Sequence, residues 1–106
     1  MPKYMIEASY GSAGVRGVAE KGGTARREIV AELIADMGGS VESFYFAFGD
    51  ADVYVVCDLP SNEAASALAL SINRSEATKI KTVVLLTPEQ VDAAANMTPE
   101  YKPPGS

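Results

Sequence analysis

Two hydrophobic periods alternate along the chain. Lys3–Tyr10 (KYMIEASY) alternates, with Tyr4, Ile6 and Ala8 on one side and Met5, Glu7 and Ser9 on the other, which predicts a strand. Thr24–Met37 places Ala25, Ile29, Val30, Leu33, Ile34 and Met37 on one stripe at helical spacing. Thr24 can cap that helix and Gly38-Gly39 can stop it. Gly11–Gly23 lies between, with five glycines in thirteen residues. It predicts a loop or a short, weak helix, because each interior Gly costs about 1 kcal/mol. Val41–Phe48 and Val53–Leu59 predict two strands around a tight bend at Gly49–Asp52. Pro60-Ser61 ends the second. Asn62–Arg74 is an alanine-rich helix and Thr78–Leu86 a fourth strand. Thr87–Gln90 (TPEQ) joins a cap, a first-turn proline and a capping-box glutamine, predicting a short helix to Ala95. The pattern is one α+β domain over residues 1–95 and an extended, proline-rich tail over residues 96–106.

The order β-α-β-β-α-β is that of a ferredoxin-like sandwich with an antiparallel sheet 4-1-3-2 and helices on one side. The strand period of two assigns the faces. Tyr4, Ile6, Ala8, Phe44, Phe46, Phe48, Val53, Val55, Cys57, Ile80, Thr82 and Val84 are expected under the helices. The other face carries Met5, Glu7, Ser9, Ser43, Tyr45, Ala47, Asp52, Tyr54, Val56, Asp58, Lys81, Val83 and Leu85. It mixes tyrosines and aliphatic groups with charges and has no layer to cover it. Apolar patches of roughly several hundred Å² mark interfaces or binding grooves. The expectation is therefore a homodimer in which two such faces close a barrel around a partly polar cavity.

Glu7, Tyr45, Asp52, Tyr54 and Lys81 are the pocket candidates. One reading is a site for a small anionic or aromatic ligand, with a carboxylate base and tyrosine hydrogen bonds. The other is an interface ion pair between Glu7 and Lys81, with the tyrosines as amphipathic packing. Asp52 also suits a plain turn position. A second cluster surrounds the start of the first long helix. Arg16, Lys21, Arg26 and Arg27 are four of the chain's nine basic residues within twelve positions. Arg26 and Arg27 in the first turn, with Glu32 and Asp36 near the end, oppose the helix macrodipole. Together with Gly23 these residues form a candidate patch for an anion or an acidic partner segment. The alternative is solvated side chains or salt bridges to Glu20, Glu28 or a neighbouring subunit.

Composition narrows the classes. A net charge of −5 speaks against nucleic acid and against anionic membrane surfaces as partners. No apolar run approaches the roughly 20 residues of a membrane span, and the N-terminus is no signal peptide. There is no histidine, which excludes His-based triads and His-containing metal sites. The single cysteine, Cys57, falls on the apolar face and reads as a core residue; it fits a reducing cytoplasm. GSAGVRG lacks the spacing of a dinucleotide fingerprint. No metal or cofactor is expected. The functional expectations are a small-molecule-binding dimer, a cofactor-independent enzyme with Glu7 or Asp52 as base, or a purely structural assembly module.

YMIEASY, GGTARREIVAELIADMGGSVESFYFAFGDADVYVVCDLP and the ending TPEQVDAA…YKPPG resemble the GYD domain family of small bacterial proteins over nearly the whole chain. The resemblance implies a dimeric α+β barrel and names no reaction. Of the namesake Gly-Tyr-Asp element, Gly49 and Asp52 match, while Ala51 stands where the tyrosine would be.

Overall fold

The computed structural model describes residues 1–105. The elements are β1 (Lys3–Tyr10), α1 (Ser12–Lys21), α2 (Gly23–Asp36), β2 (Ser40–Phe46), β3 (Val53–Asp58), α3 (Asn62–Arg74), β4 (Thr78–Leu85) and α4 (Pro88–Ala95). The strands form one sheet in the order β2-β3-β1-β4, with every neighbouring pair antiparallel. From the opposite edge this is 4-1-3-2, the ferredoxin-like α+β arrangement expected from the strand and helix order.

The core lies between one sheet face and the helices. Tyr4, Ile6 and Ala8 of β1 and Val53, Val55 and Cys57 of β3 pack against Ile34 of α2 and Ala65 and Leu68 of α3. Each fully buried Val, Leu or Ile contributes about 1.5–3 kcal/mol relative to exposure. Val30, Leu33 and Met37 pack beside Ile34, so most of the stripe on α2 does face inward. Two residues aim α3. The Tyr4 hydroxyl donates to Asn62 Oδ1 at 2.6 Å, and Asn73 Oδ1 accepts from the Ile80 N–H at 2.7 Å. α3 therefore crosses from β1 at its start to β4 at its end. Ser61 caps it, its Oγ accepting from the Ala64 N–H.

Several local expectations are decided or corrected. The glycine-rich stretch takes the helical one of its two expected forms, a short helix of ten residues, α1, despite Gly14 and Gly17. Gly14 permits close approach: a Cβ there would lie 2.7 Å from the Ala77 carbonyl oxygen. Thr24 is not the cap of α2. The helix starts one residue earlier, and Gly22 (φ 89°) caps it with no side-chain bond. Gly38 (φ 87°) turns the chain out of α2 as expected. Phe48 does not face the helices. β2 ends at Phe46, and Phe48 is 93% exposed in the bend. Thr82 and Val84 are also exposed, because the end of α3 meets β4 near its start, at Ile80, and leaves the outer half of this edge strand bare. A register shift between Val41 and Ser43 leaves Glu42 without a partner residue in the ladder.

Beyond β4 the chain leaves the domain. The capping box of α4 forms as predicted, with Thr87 Oγ1 accepting from the Gln90 N–H and Gln90 Oε1 from the Thr87 N–H. Every residue from Leu86 to Gly105 is nonetheless exposed. No helix among the described residues is long and apolar enough to cross a membrane.

Candidate functional site

Register decides which pocket candidates meet. Tyr45 of β2 lies directly opposite Tyr54 of β3, Tyr54 opposite Glu7 of β1, and Glu7 opposite Lys81 of β4. Four of the five candidates thus form one continuous row across the whole sheet. Directly opposed residues share a face and place their Cβ atoms about 4.5–5.5 Å apart. The row lies on the face away from the helices. Tyr54 is half-buried, while Tyr45 and Lys81 are exposed. Glu7 and Lys81 are neighbours as expected, but their charged ends make no ion pair within this chain; the ion pairs of the described residues both belong to Lys3.

Asp52 does not join the row. Its Oδ2 accepts from the Tyr10 N–H at 2.8 Å, and its own N–H donates to the Ala8 carbonyl at 2.8 Å. The β1–β3 ladder ends at the Ala8–Val53 pair, and Asp52 extends it by one side-chain bond. Its carboxylate is a structural acceptor, as the turn reading held.

A cleft of about 520 Å³ opens beside the Glu7–Lys81 end of the row. Glu7, Ser9, Lys79 and Lys81 come from β1 and β4, Asp50 and Ala51 from the bend, and Asn73 from the end of α3. Two ammonium and two carboxylate groups therefore surround one concavity. Ser9, Lys79, Asp50 and Asn73 are additions to the candidates named from the sequence. Ser9 and Lys79 were legible in principle, since they are the next cross-strand pair on this face. Asp50 and Asn73 depend on how the bend and α3 fold back onto the sheet edge. Ala51 is buried, so the position where a family tyrosine would stand is a packed wall of the cleft.

The far end of the face carries an ion-pair hub that the strand pattern alone did not single out. Lys3 Nζ lies 3.0 Å from Asp58 Oδ1 and 3.2 Å from Glu42 Oε2. Its hydrogen bond to Asp58, then that to Glu42, raises the Lys3 pKa above its ordinary value. The Lys3–Asp58 pairing across β1 and β3 was the available signal. Cys57 is buried, and desolvation lifts its thiol pKa to about 11, as suits an inert core cysteine.

The basic cluster divides. Arg26 turns inward and lies over the Tyr10 ring, 5.7 Å from its centroid, with its Nε buried and without a hydrogen-bond partner. With Lys21 it borders a groove of about 230 Å³ between α1 and α2. Arg27 and Gly23 border a different groove, beside Phe44 and Phe46 of β2. Arg16 is exposed on α1 and lines neither. Gly23 has a packing reason to be glycine, because a Cβ would lie 2.8 Å from the Phe46 ring. The unfavourable placement of Arg26 near a helix N-terminus is offset by its contact with Tyr10. Among the described residues no three Cys, Asp or Glu side chains converge as a metal site needs.

No curated protein and no solved structure gives a significant match to this sequence. The family model described as "GYD domain" matches residues 4–95, and the chain therefore belongs to the GYD domain family.

Proposed function

We propose that this protein is a cytoplasmic homodimer that binds a small molecule between two stacked sheet faces. The observation that carries the reading is the row Tyr45–Tyr54–Glu7–Lys81, which lies on a face that no helix of its own chain covers. Met5, Tyr54 and Val56 on that face are already half-buried, and Val83 is partly exposed beside them. A second copy would remove this surface from water. The cleft at the end of the row falls in the usual 300–1,000 Å³ range of small-molecule sites. Lys79 and Lys81 suit an anionic group on the ligand, Glu7 and Asp50 suit its hydrogen-bond donors, and Tyr54 offers an aromatic surface.

A second reading is a cofactor-independent enzyme with Glu7 as base. It is favoured by the placement of Glu7 between a tyrosine and a lysine in one row, a set able to accept and return a proton. Asp52 is no base in this scheme, because its carboxylate holds the Tyr10 N–H. Turnover without added metal or flavin separates the enzyme from the binding protein.

Native mass spectrometry of protein purified from its own cells tests the primary reading. The expected result is a dimer with a co-purifying small molecule that is lost in Glu7→Gln and Lys81→Met variants. A monomer at micromolar concentration overturns it, as does a dimer that carries no small molecule.

A further inference from the structure

We propose that the C-terminal arm, residues 86–105, docks onto a second copy of this chain, in the groove between α2 and β2; the inference rests on the dimer proposed above. The arm has no place on its own domain. Leu86, Val91, Met97 and Tyr101 are each more than half exposed. The radius of gyration is 16.8 Å and the longest extent 57 Å, whereas a packed domain of this length has a radius near ~13 Å. An eight-residue helix is marginal in water without a packing surface, yet α4 carries a complete capping box and an apolar residue, Val91, in its middle. A segment with this much local encoding and every described residue exposed needs an external surface.

The second copy offers that surface. β2 is an edge strand, with its outer backbone groups unpaired and Phe48 bare at its end. Edges of this kind are usually covered. A groove of about 480 Å³ runs between β2 and α2, bordered by Arg27, Ala31, Val41, Phe44 and Tyr45. The arm is acidic, with Glu89, Asp92 and Glu100 against Lys102. Glu42 in the groove wall is already held by Lys3, which leaves Arg27 and Glu28 as its open charges. Asp92 follows Val91 on α4, so seating Val91 among Val41 and Phe44 would bring its carboxylate towards Arg27. Symmetry supports the route. When two sheets stack face to face about a two-fold axis parallel to their strands, β4 of each copy lies over β2 of the other. The arm begins where β4 ends and so starts beside the partner's β2 edge. Docking there would also give Arg27, near the start of α2, a carboxylate partner.

The test is cross-linking in the full-length protein. Chains carrying Val91→Cys are mixed with differently tagged chains carrying Ala31→Cys, allowed to exchange, and treated with a short bis-maleimide. The buried Cys57 thiol does not compete. The expected result is a cross-link between the two kinds of chain. In a parallel titration, Arg27→Glu weakens the dimer about two- to five-fold, and Asp92→Arg restores it. A dimer that gives no interchain cross-link, or one that gives it only within a doubly substituted chain, overturns the arm exchange and leaves the face-to-face dimer standing. A monomeric wild type in sedimentation equilibrium overturns both. Failure of the reversed charges to restore affinity counts against the Arg27 contact.

Discussion

Replacing Asp52 separates architecture from chemistry. If its carboxylate serves the fold, Asp52→Ala leaves the Tyr10 N–H without its acceptor at the end of the β1–β3 ladder, where Asp52 Oδ2 now lies 2.8 Å away. Losing the acceptor of a partly buried donor costs about 1–3 kcal/mol. Asp52→Asn keeps a carbonyl oxygen at the same reach and loses only the charge, so its cost is about 1 kcal/mol or less. With a urea m-value on the order of 1.5 kcal/mol/M, a 2 kcal/mol loss moves the unfolding midpoint by about 1.3 M. Equilibrium urea denaturation followed by far-UV circular dichroism reads both variants. The N–H of Asp52 donates to Ala8 in either case, so the hairpin itself persists. The order wild type, Asn, Ala in stability is expected, with ligand retention unchanged in the Asn variant. An Ala variant as stable as the wild type would refute the structural role. So would an Asn variant of full stability that has lost the ligand, because that outcome would place the charge in the chemistry.

Val56→Asp puts a charge in the middle of the uncovered face and should weaken dimerisation at least about a hundredfold by sedimentation equilibrium, while the core packing of the single chain stays intact. In α1, Gly17→Ala should stabilise by about 0.5–1 kcal/mol, since nothing lies within 4 Å of the added Cβ. Gly14→Ala should destabilise by about 1–3 kcal/mol, because its Cβ would lie 2.7 Å from the Ala77 carbonyl oxygen and 3.0 Å from Tyr10; equal shifts in urea midpoint would contradict this packing. Lys3 and Cys57 both have folded pKa values above their unfolded ones, so their contribution is complete below the unfolded values and lost as pH rises through the folded ones. The thiol's share of thermal stability should therefore fall from about pH 9 to about pH 11 and be absent in Cys57→Ala, while the share of Lys3 is lost only above 10.5.

Much of this protein was legible in one dimension because its signals are local and repeat. The period of two in Lys3–Tyr10 and Val53–Asp58, and the helical stripe of Ile34 and its neighbours, fixed element type and inward face, since burial on one side forces those periods. The same alternation, carried through the expected strand order, was enough to bring Glu7 beside Lys81. Loops and edges were settled only in three dimensions. Phe48 has the right parity for the core, yet it is exposed, because β2 stops at Phe46 and parity has no meaning beyond the last ladder bond. Val84 also has the right parity, but α3 crosses the sheet obliquely and its end reaches no farther than Ile80. Asp52 shares a face with the tyrosines by counting, and is removed from them by a hydrogen bond to a residue forty-two positions away. Arg26 and Arg27 are adjacent in sequence, but successive helix positions lie about 100° apart, so one faces Tyr10 and the other the β2 groove. Which residues share a strand face follows from a backbone repeat that the chain carries in itself. Which side chains converge on a cleft depends on where each element starts, stops and crosses, and packing between distant segments decides that.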